Sequence, residues 1–164
     1  MSETQNSAPA AKAAPDHFSM EAMVDDMHRG YAIDLKACEE GVWFYLNAAD
    51  LEVKVRHITA KAVQIAWNAM DESTQNRITK DDEKGRLFMA KLVGSSVICG
   101  ARRPDATEAQ TPTYNPELMT KYFEDEAHRE ARMKVWTFCQ ENLNYGLKEF
   151  LEESKNSKTP SSST

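Results

Sequence analysis

Hydrophobic and polar positions change their period several times along this chain. Met20, Met23, Val24 and Met27 fall at i, i+3, i+4 and i+7, the stripe of an amphipathic helix. Asp16 or Ser19 can cap its start and Gly30 can end it, so the spacing predicts a helix over 19–30. After Gly41 comes a β-branched and aromatic run, Val42 to Leu46. Leu51, Val53 and Val55 then alternate with Glu52, Lys54 and Arg56, as a half-buried strand does. The turn-like stretch 47–50 joins the two runs, which predicts a β-hairpin with strands 42–46 and 51–57.

From Thr59, a plausible N-cap, the period becomes helical. Val63, Ala66, Trp67 and Met70 form a stripe ending near Asp71, with Trp67 as its large core residue. The polar stretch 71–78 reads as a connector. Thr79 with Asp82 resembles a capping box, and a helix over 80–99 follows. Its second half, with Leu92, Val93, Val97 and Ile98, is apolar on most sides and should be deeply buried. Residues 101–113 read as a loop. Asn115 and Pro116 are an N-cap and first helical position, leading to Leu118, Met119, Tyr122 and Phe123. A last helix is expected over 126–152 on Ala131, Val135, Phe138, Cys139, Leu143, Leu147, Phe150 and Leu151, weakened at Gly146.

A lone hairpin is marginal in water, so helices must cover its apolar face. The predicted fold class is α+β: one antiparallel hairpin on three to four helices, in a single domain over 31–153. Residues 1–18 and 154–164 are small and polar, and are expected to be a disordered arm and tail.

Composition narrows the function. The net charge of -6 argues against a nucleic-acid binder, which needs a basic face. No apolar run approaches the roughly 18 residues of a membrane span. Three widely spaced cysteines, without a leader ahead of them, read as reduced thiols of a cytosolic protein.

His17, His28, His57 and His128 lack metal-ligand spacing, and no catalytic signature or phosphate loop is present. The expectation is therefore no enzyme, no cofactor and no metal. His57, on the apolar side of its strand, reads as a hydrogen-bonded strand-end histidine, and Cys139 as a small hydrophobe. The acidic clusters at 81–83 and 124–126 suit helix starts. Arg102 and Arg103, placed in a loop, suit an acidic partner or the preceding helix's C-terminal end. What remains are apolar docking candidates: the stripe of Met20, Met23, Val24 and Met27, and the hairpin aromatics Trp43, Phe44 and Tyr45. The stripe could equally dock on the chain's own core or cover the hairpin.

Several segments taken in order resemble the tail assembly chaperones of long-tailed bacteriophages and prophages. An acidic lead enters a glycine–hydrophobic–tryptophan strand, Glu39 to Phe44. A second strand, LEVKVRHIT, runs into a helix. The middle helix ends in the small hydrophobic segment LVGSSVICGA. YNPELMTKYFED then matches a proline-plus-acid helix start, and the chain closes on KEFLEES. The resemblance covers roughly 32–153. It lacks a tryptophan after Val97, and it adds the methionine-striped arm.

The resemblance implies a non-enzymatic protein of the bacterial host's cytoplasm, without cofactor. Such a protein binds the tape measure protein, with the tail tube protein as a further partner, and is absent from mature virions. The alternative is a structural virion protein of the neck, connector or minor tail.

Overall fold

Short polar side chains set the element boundaries in the computed structural model, which describes residues 16–80 and 82–149 in two units that divide after Ala32. In the first unit the Asp16 carboxylate accepts from the Phe18 amide at 3.0 Å, in a turn that leads into the first helix. The Ser19 hydroxyl accepts from the Ala22 amide at 3.1 Å and starts α1, Met20–Tyr31. The helix passes the expected stop at Gly30, because the Ala32 amide still bonds the His28 carbonyl. The rest of the expected arm and the whole C-terminal tail lie outside the described residues.

The second unit is α+β. Asp34 caps α2, Leu35–Glu40, by accepting from the Lys36 and Ala37 amides. Gly41 ends it at φ +86°, a left-handed conformation that side chains disfavour. The predicted hairpin follows as β1, Val42–Leu46, and β2, Leu51–Val55, antiparallel with Phe44 opposite Val53. The second strand stops two residues before its expected end at His57.

A third strand, β3 (Ile98–Arg102), pairs antiparallel with β2, so the sheet order is β1-β2-β3. This corrects two expectations: the helix over 80–99 and the loop placement of Arg102. Helix α5 runs over Glu83–Leu92, a π-turn occupies Val93–Val97, and the chain leaves it as strand.

The caps also differ in part. Helix α3, Lys61–Asn68, has Ala60 at its cap position. The Thr59 hydroxyl faces the His57 ring instead, and the Glu39 carboxylate of α2 reaches over to accept from the Lys61 amide at 2.9 Å. The expected polar connector is helix α4, Glu72–Ile78. Asp71 caps it, the Thr74 amide holding its carboxyl below the usual range, and Ile78 plugs it into the core. Asp82 caps α5 alone, whereas Thr79 closes α4. Asn115 and Pro116 open α6, Pro116–Glu124, as expected.

Helix α7, Arg129–Gln140, ends well before the expected 152. The Asn144 side chain donates to the Phe138 carbonyl at 3.0 Å and turns the chain into a short 3₁₀ segment. That turn buries Tyr145, whose hydroxyl donates to the Val55 carbonyl at 3.0 Å, and lets Gly146 bridge to Ile33. Residues 150–152 of that expected helix lie outside the described residues.

The core joins Val53, Val55 and Ile98 of the sheet to Val63, Leu92, Phe123, Val135, Trp136 and Cys139 of the helices. Trp67 is half-buried and stacks on Trp136 at 6.4 Å between centroids.

Gly94 of the π-turn lies hard against α6: a Cβ there would sit 2.6 Å from the Thr120 amide nitrogen. Backbone cannot yield that distance by a rotamer change. Gly94→Ala should therefore destabilise by about 1–3 kcal/mol, or more if α6 is displaced. Chemical denaturation checks this; a wild-type midpoint would show that the two segments are not locked together.

Candidate functional site

In α6 the spacing of four sorts two apolar pairs. Met119 and Phe123 turn into the core, while Leu118 and Tyr122 stay 68% and 44% exposed. Beside that exposed pair lies an apolar groove of about 680 Å³. Leu46 and Leu51 at the hairpin's turn end form one wall, Tyr114 and Leu118 a second, and Ala131 of α7 contributes to a third. The size and lining are those of a binding cleft.

At one edge the His128 ring stacks on Tyr122, centroids 3.8 Å apart, and its Nδ1 donates to the Tyr122 carbonyl at 2.6 Å. Glu130 and Lys134, the carboxylate and ammonium along the α7 wall, pair with each other at 2.9 Å. The groove thus presents apolar area with a self-neutralised charged margin.

The sequence candidates fall in different places. Met20, Met23, Val24 and Met27 lie on one face of α1, which buries none of its residues. The three aromatics do not form one patch. Phe44 turns inward and stacks on Phe138 at 4.3 Å. Trp43 turns outward beneath the Arg102 guanidinium, 3.9 Å from its ring centroid. Tyr45 is 49% exposed and its hydroxyl donates to Asp50 at 2.9 Å, a bond whose charged acceptor holds its pKa above the usual range.

Both arginines make contacts within the chain. Arg102 also donates to Glu52 at 2.6 Å across the sheet, and Arg103 donates to the Ala49 and Asp50 carbonyls of the hairpin turn. The Leu118–Tyr122 pair and the groove itself were missed. The one available signal was the 118/122 spacing, but it looked like ordinary core stripe.

The buried polar residues hold the fold together. His57 is buried, and the Thr59 amide donates to its Nδ1 at 3.2 Å, so the ring proton sits on Nε2 and faces the Asn142 oxygen at 2.9 Å. This is the hydrogen-bonded histidine expected from the strand pattern. Arg132, only 2% exposed, was unforeseen: its Nη1 donates to the Phe123 carbonyl in the last turn of α6 at 2.6 Å. Helix C-terminal carbonyls carry partial negative charge and suit a cation there. Among the described residues, no three histidine, cysteine or acidic side chains converge as metal ligands, and no helix is long and apolar enough to cross a membrane.

The fold and its groove define an α+β domain with an open apolar cleft on its surface. Comparison with protein-family models, curated proteins and solved structures finds no match for the chain.

The thiols are held protonated. Burial pushes Cys139 up to about 12 from its ordinary 9.0, and burial likewise raises Cys38 and Cys99. Above about pH 9 the unfolded chain releases a Cys139 proton that the folded chain retains. Stability from this group is therefore fully present below pH 9 and is lost as pH rises towards 12. Its slope is at most about 1.4 kcal/mol per pH unit. Cys139→Ala should flatten the decline of denaturation free energy between pH 8.5 and 10.5, whatever its offset at neutral pH. Equal slopes in the two proteins would refute the assignment.

Proposed function

We propose that this chain is a tail assembly chaperone of a long-tailed phage or prophage, a non-enzymatic holder that keeps the tape measure protein soluble in the host cytoplasm until tail tube subunits assemble around it. The observation that supports this most is the open apolar groove between the hairpin's turn end, α6 and α7. An amphipathic helix buries its stripe in such a groove, and a long helical client offers many such stripes. The neutral Glu130–Lys134 margin leaves apolar complementarity in command, which suits a holder of repetitive segments. The methionine stripe of α1 adds a second adaptable apolar surface of the same kind. The resemblance of 32–153 to this family supplies the identity of the client.

Co-expression with the tape measure protein tests the reading. Leu118 is largely exposed, so Leu118→Glu should leave the melting curve unchanged while lowering the soluble fraction of the client several-fold. A client equally soluble with wild type, with the variant and with no chaperone would refute the proposal. Recovery of the chain from purified particles at stoichiometric amounts would favour the virion structural protein instead.

A further inference from the structure

The two edges of the sheet are unlike. β3 carries Arg102 and joins β2 through a register shift at Lys54 and Val55. A charge and a bulge are devices that keep an edge from pairing further. The opposite edge, Val42–Leu46 of β1, holds no charge and no proline, and its register with β2 is unbroken. It has no partner strand among the described residues. Beside it lies an open space of about 980 Å³, bounded by Phe44, Tyr45 and Leu46 and by Met133, Thr137 and Phe138 of α7. That space adjoins the groove beside Leu118 and shares Leu46, Asn47, Glu130 and Lys134 with it.

Neighbouring bonds fix which backbone groups of the edge point outward. The Arg56 amide donates to the Val97 carbonyl, towards β3. Backbone groups alternate in direction along an antiparallel strand, so those of Val53 and Val55 face β1 and meet Phe44 and Val42. The amides and carbonyls of Trp43 and Tyr45 therefore point away from the sheet.

We propose that β1 pairs antiparallel with β1 of a second copy of this chain, about a two-fold axis at Phe44, joining two three-stranded sheets into one. Trp43 opposite Tyr45 of the other copy is the register that overlaps the whole strand and uses every outward group. The axis then sets Phe44 opposite Phe44 and Val42 opposite Leu46. Each cross-strand pair is apolar or aromatic, and one strand supplies both halves of every pair. On the outer face the Trp43 indole leans over Lys54 to within 3.3 Å of where a Cβ of Gly100 would stand. That lean leaves room above the edge for the half-exposed Tyr45 of the other copy.

Charge favours the same occupant. Each chain carries a net charge of -6, so two copies repel over most of their surface. An uncharged edge is where they can meet, and the nearby Glu130 and Lys134 neutralise each other. Size sets the strength. An edge of five residues, about 17 Å long, with side chains on both faces covers on the order of 1,000 Å² in total, the lower limit of a specific interface. Association is therefore reversible and concentration-dependent. The inference rests on the backbone of β1 and not on the tape measure reading.

Sedimentation equilibrium of the full chain tests it. The mass should rise from 18.5 kDa towards twice that value as the protein is concentrated. Because the Tyr45 amide points outward, Tyr45→Pro costs the hairpin no ladder bond. With circular dichroism unchanged, it should hold the chain monomeric at every concentration. Hydrogen exchange on the wild type decides the matter even if that variant misfolds. The Trp43 and Tyr45 amides should lose protection at least tenfold on dilution, while the Phe44 amide, bonded within the hairpin, stays protected. A monomer at all concentrations would overturn the proposal, as would a folded Tyr45→Pro variant that dimerises as tightly as wild type. So would Trp43 and Tyr45 protection that ignores concentration, since a segment of the same chain would then cover the edge.

Discussion

The second unit hangs on five residues, Val93–Val97, where the chain stops being helix and becomes strand. The π-turn touches α3, α5, α6, α7 and β3, and it buries Val93, Gly94 and Val97. Its wider winding lets α5 end and β3 begin without an intervening loop, so Ile98 enters the sheet opposite Val55. Gly94 allows α6 to come within backbone contact, and the Tyr114 hydroxyl donates to the Gly94 carbonyl. Elements distant in sequence thus meet at one short segment. A side chain at its centre would move α6, and with α6 one wall of the groove beside Leu118.

Buried polar groups anchor the rest of the frame. Arg132 ties α7 to the end of α6, Tyr145 ties the last 3₁₀ segment to β2, and His57, two residues past β2, bonds Asn142. Among the described residues every buried side-chain nitrogen and oxygen has a partner. These bonds leave apolar area as the exposed resource. Part of it lines the groove where α7 meets α6 and the hairpin's turn end.

Much of the local structure could be read from residues in order. The alternation of Leu51, Val53 and Val55 with charges placed β2 and put His57 on the buried side. Ser19, Asn115 and Pro116 marked helix starts that the structure uses. Other elements were illegible for identifiable reasons. β3 is five residues containing a glycine, attached directly to an apolar helical stretch, so periodicity merged it with α5. α4 is polar except for Ile78, and a single buried residue makes no stripe. The break after Gln140 interrupts a helical spacing that continues to Leu147. What stops the helix there is hydrogen bonding by Asn144 and Tyr145, the latter to a strand ninety residues away.

The candidate sites divide the same way. The amphipathic face of α1, the hairpin and the α+β class follow from side-chain periods, because those periods reflect local geometry repeated at each turn or pleat. Whether an apolar residue is core or groove cannot follow from period, since Leu118 and Met119 are both apolar neighbours on one helix. Packing of α6 partly buried Met119 against the core and left Leu118 open. Likewise Trp43, Phe44 and Tyr45 form one cluster in sequence. The pleat and the arrival of Arg102 on β3 separated them into a covered ring, a core ring and an exposed one. Residue order set which elements form; the contacts between distant elements decided which apolar surfaces remained available.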